Sequence, residues 1–227
     1  MNNEIFVISV GGSLIYPEKL DVDFLIHFKE IILKHVEKGT RFVLITGGGR
    51  ISRNYQAAAR ELGDLDNEDL DWLGIHGTRI NAHLLRIIFK EHANPKVIND
   101  PNEKIDFNEK ILVAAGWKPG NSTDYVAVLL AKQLGVKKLI NLSNIDYVYD
   151  KDPSKHVDAK PFKEMKWVDF RRLVGDEWDP GLSTPFDPVA SKEAEKLGLT
   201  VYILDGDKLK NIDNLLEGKE FVGTIIE

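Results

Sequence analysis

The chain has 227 residues, 43% of them apolar, with 30 basic against 36 acidic side chains and a net charge of −6. That balance lacks the positive footprint needed for nucleic-acid or anionic-membrane binding. The absence of cysteine removes disulfides, thiolate metal sites and cysteine nucleophiles. Residues 5–10 are too short an apolar segment for a signal peptide, and no run approaches the ~20 residues of a membrane helix. The expectation is one soluble, cytoplasmic α/β domain.

In chain order, Ile5–Val10 reads as a continuously apolar strand running into Gly11-Gly12-Ser13. Val22–Glu37 then places Phe24, Leu25, Phe28, Ile31, Ile32 and Val36 on one helical stripe, with Asp21 as cap and Gly39 as stop. A second strand at 41–45 ends in Gly47-Gly48-Gly49 and leads to a helix at 52–62. A long helix at 68–92 has apolar residues on more than one stripe, which points to burial on two sides and an oligomer interface. Strands at 96–98 and 110–115 precede a third turn, Gly116 to Thr123, and a helix over Thr123–Leu134. Beyond the strand at 139–142, residues 146–160 are rich in aspartate and read as a long surface loop. The remaining elements are helices at Trp167–Val174, Pro188–Leu197 and Leu209–Leu216 and strands at 200–204 and 222–226, with an irregular stretch at 175–188. Val- and Ile-rich strands alternating with helices predict a mostly parallel central sheet in a three-layer αβα sandwich.

Each glycine turn follows a strand and precedes a helix. In an open α/β sheet this is the carboxyl edge, where ligands bind. Without Cβ atoms the backbone amides approach an anion closely, and the following helix adds its positive N-terminal end. None of the turns has the Gly-Lys-Ser/Thr ending of a P-loop or the Gly-x-Gly-x-x-Gly dinucleotide spacing. Arg53, one helical turn past Gly49, is placed to fold over the same anion. Asp71 is placed either to stabilise the helix dipole or to accept hydrogen bonds from a sugar diol. Gly74 and Gly77 cost ~1 kcal/mol each in a helix interior, so something packs closely against them.

These turns, followed by Asn141-Leu-Ser-Asn144-Ile-Asp146-Tyr-Val-Tyr149-Asp-Lys-Asp152-Pro153, resemble the amino acid kinase superfamily, and within it the uridylate (UMP) kinases of archaeal type. The resemblance implies ATP-dependent phosphorylation of a nucleoside monophosphate with Mg²⁺, by a homo-oligomer built as a dimer-based hexamer. It implies an acceptor-binding half over residues 1–135 and an ATP-binding half over 136–227. Gly11, Gly12 and Ser13 would then hold the transferring phosphate, with Gly49 and Arg53 binding phosphate between the two nucleotides. Gly48 and Asp71 would contact UMP, and Trp117, Lys118, Pro119, Gly120, Asn121, Ser122 and Thr123 would close on it. Ser143, Asn144, Tyr149 and Asp152 would line the ATP site. Asp124 and Asp187 fall at acidic positions that organise donors or the magnesium.

Two positions depart from the family pattern. Ser9 stands where many members carry a phosphate-facing lysine, leaving Lys118, Lys151 and Lys192 as substitute cations. Tyr147 replaces a glycine of the adenine loop, which predicts strain or rearrangement there. The competing readings are a kinase for another small phosphate or carboxylate acceptor, and a catalytically weak nucleotide- or oxyanion-binding oligomer.

Overall fold

The computed structural model describes residues 4–175 and 184–227. Its first half holds β1 (Ile5–Val10), α1 (Gly12–Ile15), α2 (Val22–Glu37), β2 (Arg41–Thr46), α3 (Gly49–Leu62), α4 (Asn67–Ile88), β3 (Ile111–Ala114) and α5 (Thr123–Leu134). The second half holds β4 (Lys138–Ser143), β5 (Val148–Tyr149), β6 (Pro161–Phe162), β7 (Glu164–Met165), α6 (Trp167–Val174), α7 (Pro188–Leu197), β8 (Thr200–Asp205), α8 (Leu209–Leu216) and β9 (Thr224–Ile226).

A seven-stranded sheet in the order β3-β2-β1-β4-β8-β9-β7 crosses the molecule. The β1–β2, β2–β3, β1–β4 and β4–β8 ladders are parallel, and β9 runs antiparallel to β8. Alternate residues along each strand serve opposite cores. On one face Phe6, Ile8, Leu44 and Ile140 pack with α2, α4 and α8 residues such as Phe28, Leu85 and Ile212. On the other, Val7, Val43, Leu112 and Leu139 pack with Val126, Phe170 and Ala190 of α5, α6 and α7. Burial on both faces explains why these strands are unbroken apolar runs. The chain leaves β1 toward β2 and later enters β4 on β1's other side. This reversal of strand order opens a crevice at the carboxyl ends of β1 and β4.

The capping signals act as their chemistry predicts. The Asp21 carboxylate accepts from the Phe24 amide at 2.9 Å, and Gly39, at φ 97°, receives the chain after α2. Several boundaries differ from the sequence expectation, among them α3, which opens at Gly49 rather than Ser52. Residues 96–98 form no named strand and leave only an isolated bridge between Ile98 and Ala114, because the Lys96 amide donates to the Asn94 side chain at 2.9 Å instead of to a ladder. The α4 helix stops at Ile88 rather than 92, since the His92 carbonyl is taken by the amides of Lys110 and Ile111. The last strand begins at Thr224 because the backbone of Val222 binds the Asn211 side chain. The 146–160 segment contains β5, which pairs antiparallel with β6.

Gly74 and Gly77 are covered by α3. A Cβ at Gly77 would lie 2.1 Å from the Ser52 hydroxyl oxygen, and one at Gly74 2.9 Å from the Gln56 amide nitrogen. The outer side of α4 exposes Trp72, Ile80 and Ile87. No described non-glycine residue takes positive φ, so Tyr147 is accommodated without left-handed strain. Most of the irregular 175–188 stretch lies outside the described residues. No helix among the described residues is long and apolar enough to cross a membrane.

Candidate active site

The three glycine turns meet. A Cβ on Gly12 would sit 2.0 Å from the Gly49 amide nitrogen, and one on Gly47 2.5 Å from that of Gly12. The first two turns therefore touch backbone to backbone, a distance only glycine permits. Gly49 takes φ 64° as it opens α3. Asn81, buried on α4, donates its amide to the Gly47 carbonyl at 2.8 Å and fixes the second turn. The third turn is fastened to the same helix. The Gly116 amide donates to the Thr78 hydroxyl at 2.7 Å, and the Gly120 amide donates to Asp71 Oδ2 at 2.8 Å. Ser122 caps α5 by accepting from the Tyr125 amide.

Between the second and third turns lies a cavity of about 330 Å³. Gly48, Gly49, Arg53, Asp71, Asn121, Ser122 and Thr123 line it, so seven of the sequence-derived candidates converge. Both α3 and α5 begin at its wall, and two helix N-termini aimed into one hollow favour an anion there. Arg53 is exposed and makes no ion pair with any described residue, so its guanidinium is available. Ser52, Gln56, Ile75 and Thr78 also line the cavity. Sequence reasoning missed them, although the glycines at 74 and 77 marked the contact that brings them in. A larger hollow of about 660 Å³ beside Phe162, Met165 and Leu173 has no glycine turn in its wall.

Gly11, Gly12 and Ser13 do not line this cavity; Gly11 joins the end of β4 by donating to the Leu142 carbonyl at 2.9 Å. Trp117, Lys118, Pro119 and Gly120 lie on the loop outside the cavity wall. There the Lys118 ammonium sits 4.1 Å from the Trp117 ring centroid. Lys151 is paired with Asp158 at 2.6 Å.

A pair of carboxylates sits behind the turns. Asp124, at the start of α5, accepts from the Ser9 hydroxyl at 2.9 Å and from the Asp187 amide at 3.3 Å. Burial, and next the charge of Asp187, push its pKa up to about 6, while the two donors pull the other way. Asp187 caps α7 by accepting from the Ala190 amide at 2.6 Å. Its pKa is also raised, chiefly by burial, and its Oδ2 is buried without a well-formed hydrogen bond. The Ser9 hydroxyl is thus engaged by Asp124.

The residues expected to line the ATP site are spread out. Ser143 ends β4 with its hydroxyl buried and unpartnered. Its carbonyl accepts from Gly206 at 2.8 Å. Asn144 lies one residue on, and Tyr149 in β5 meets the Tyr147 ring edge-on at 6.4 Å. Asp152 accepts from the hydroxyl and amide of Ser154 and pairs with Lys155, which holds its pKa down to about 2. Lys208 ties this loop to β8 through Asp146 and Asp205.

One further acidic group, His35 with Asp213 and Glu217, joins α2 to α8. Lys34 and Lys210 satisfy Asp213, and Lys34, Lys38 and Lys219 satisfy Glu217, making it an ion-pair network rather than a vacant metal site.

The profile of the amino acid kinase family matches residues 4–205. A uridylate kinase of Thermoplasma volcanium is 36% identical over 228 residues, covering 99% of this chain and 98% of that protein. One from Staphylothermus marinus is 38% identical over 197 residues, covering 86% and 88%. The crystal structure of uridylate kinase from Archaeoglobus fulgidus superposes with a TM-score of 0.82 at 29% identity, covering 98% and 99% of the two chains. A switch-point cavity between two glycine turns, with a third packed against one of them, together with a match over nearly the full length, places the chain in the amino acid kinase family.

Proposed function

We propose that this protein is a UMP kinase, transferring the γ-phosphoryl group of ATP to UMP to give UDP. The observation that carries this reading is the cavity in which Arg53, Asp71 and the N-termini of α3 and α5 converge. Its polar groups match a nucleotide's parts: amides and a guanidinium for phosphate, and a carboxylate for a sugar diol. The full-length relatives named uridylate kinase support the same acceptor.

UMP would lie with its phosphate under Gly48, Gly49 and Arg53 and its ribose against Asp71. Trp117 to Thr123 would close over the base. ATP would enter from the β4 side, its triphosphate crossing Gly11, Gly12 and Ser13. Its adenosine would lie along Ser143, Asn144, Tyr149 and Asp152. The division of labour follows the sheet, with residues 1–135 supplying the acceptor side and 136–227 the donor side.

Phosphoryl transfer asks for in-line positioning and for neutralisation of spreading charge. The attacking oxygen belongs to an ionised phosphate, so no strong general base is needed. The absence of a Ser-His pair at the described site is consistent with that. Mg²⁺ is commonly held by one or two carboxylates plus substrate phosphates. Asp124 and Asp187 fit that donor set, with all-oxygen ligands and one buried oxygen lacking a good partner. When bound with ATP, the ion supplies charge neutralisation across the phosphates. The protein's own contribution is to orient both tails, with Arg53 bridging them. Association through the exposed Trp72, Ile80 and Ile87 face of α4 agrees with the dimer-based hexamer of the family.

The test is ADP release with UMP, CMP, dUMP, isopentenyl phosphate and acetylglutamate assayed in parallel. UMP should be preferred by a wide margin. Equal rates across the panel, or no turnover with UMP, would overturn the assignment.

A further inference from the structure

The acceptor loop is attached to α4 in a way that the roles above leave unexplained. Three side chains of that helix reach it in order. Thr78 accepts from the Gly116 amide at 2.7 Å, Arg79 Nη2 donates to the Trp117 carbonyl at 3.0 Å, and Asp71 accepts from the Gly120 amide at 2.8 Å. The middle attachment is unusual. The Arg79 guanidinium is partly buried and pairs with no described carboxylate. Its carbon lies 5.8 Å from the Trp72 ring centroid, and its Nε is buried without a partner. A charged group kept half out of water with a single backbone acceptor is costly unless that contact serves a purpose.

We infer that Arg79 is a positioning residue for acceptor binding, the fixed hinge about which the 117–122 loop closes; this rests on the acceptor reading given above. The geometry separates two kinds of attachment. Arg79 holds the start of the loop from outside the cavity, and the buried Thr78 hydroxyl holds it from within the wall, where a bound nucleotide need not displace either bond. The Asp71 carboxylate lines the cavity with Oδ2 engaged by the Gly120 amide, and its Oδ1, which has no partner among the described residues, is left to accept from a ribose diol. Acceptor entry therefore adds a sugar contact at Asp71 on the cavity side of the loop, while the Arg79–Trp117 bond keeps the start of the loop in register. Arg79 touches neither the cavity nor the phosphate turns, so its removal acts on acceptor affinity and leaves the phosphoryl-transfer geometry alone.

Two measurements on the full-length protein test this. The first is hydrogen exchange in the peptide spanning 112–124 without any ligand, a readout independent of acceptor identity. R79A should accelerate exchange in this peptide about tenfold, the loss of one charge-assisted hydrogen bond, with peptides of β1 and β4 unchanged. R79K, which retains a donor able to reach the Trp117 carbonyl, should recover part of the protection. The second is steady-state kinetics. R79A should raise KM for UMP about tenfold while kcat and KM for ATP stay within about twofold. Unchanged exchange in the 112–124 peptide would overturn the hinge. So would parallel increases in KM for UMP and ATP with a lowered Tm, the mark of a merely structural arginine. Failure of the wild-type protein to phosphorylate UMP would refute the proposed function instead, with the exchange experiment still deciding the hinge.

Discussion

The two sides of the crevice to which we assign the acceptor and the donor are built differently. On the acceptor side, residues far apart in sequence are bound across elements: Thr78 to Gly116, Asp71 to Gly120, and Asn81 to Gly47. On the side assigned to the donor the contacts of the 146–160 loop are mostly local, Asp152 with Ser154 and Lys155 and Lys151 with Asp158. If the proposed assignment holds, the acceptor side is organised before ligand arrives, whereas the donor side would be organised largely by ATP itself. Preorganised groups are the ones whose removal costs most in catalysis.

The largest effect is expected where the turns touch. In G12A the new methyl group would meet the Gly49 amide nitrogen at 2.0 Å, with backbone on both sides and nothing flexible to give way. Displacing the turns by even about 1 Å should cost at least 10²-fold in kcat/KM, together with a fall in Tm. Wild-type activity in G12A would contradict the packing of the two turns.

R53A comes next. Arg53 is exposed and unpaired among the described residues, so its loss should leave Tm unchanged while kcat falls by about 10²–10³-fold. Unaltered kinetics would remove it from the phosphate site.

The third test uses pH. The folded protein holds the Asp124 proton up to about pH 6, whereas the unfolded chain releases it near 3.8. Stability from this carboxyl is therefore complete below pH 3.8 and is lost as pH rises through about 6. D124N has no such proton to lose. Across that window its metal-free stability relative to wild type should improve by about 2–3 kcal/mol, read by urea unfolding at a series of pH values. A pH-independent difference would contradict the burial of Asp124 beside Asp187.

The smallest effect belongs to the donor loop. D152A should raise KM for ATP only about three- to fivefold, because the carboxylate is exposed and already engaged by its neighbours. A loss matching that of R53A would show the donor side to be as preorganised as the acceptor side.

This contrast also marks what could be read from the sequence. Strands such as β1 and β2 were legible because burial on both faces makes them unbroken Val- and Ile-rich runs, and Asp21 and Gly39 punctuated α2 by simple capping chemistry. The glycine turns announced a carboxyl-edge site, and five candidates from them share a cavity with Arg53 and Asp71. Ser52, Gln56 and Thr78 escaped notice because their place is set by how α3 lies on α4, which no local pattern encodes. Residues 96–98 looked like a strand by composition, yet the Asn94 side chain takes the Lys96 amide and one bridge is left. Ser9 was seen as a missing lysine; that it donates to Asp124 across 115 positions required the fold.

The central claim is that two nucleotides meet tail to tail over the joined turns. It is tested most directly by a crystal structure with uridine and adenosine linked through their 5′ positions by a polyphosphate chain. The account predicts uridine in the cavity beside Asp71 and Ser122, phosphates crossing Arg53, Gly49 and Gly12, and adenosine beyond Ser143. Uridine bound outside that cavity, or phosphates that bypass the glycine amides, would contradict it.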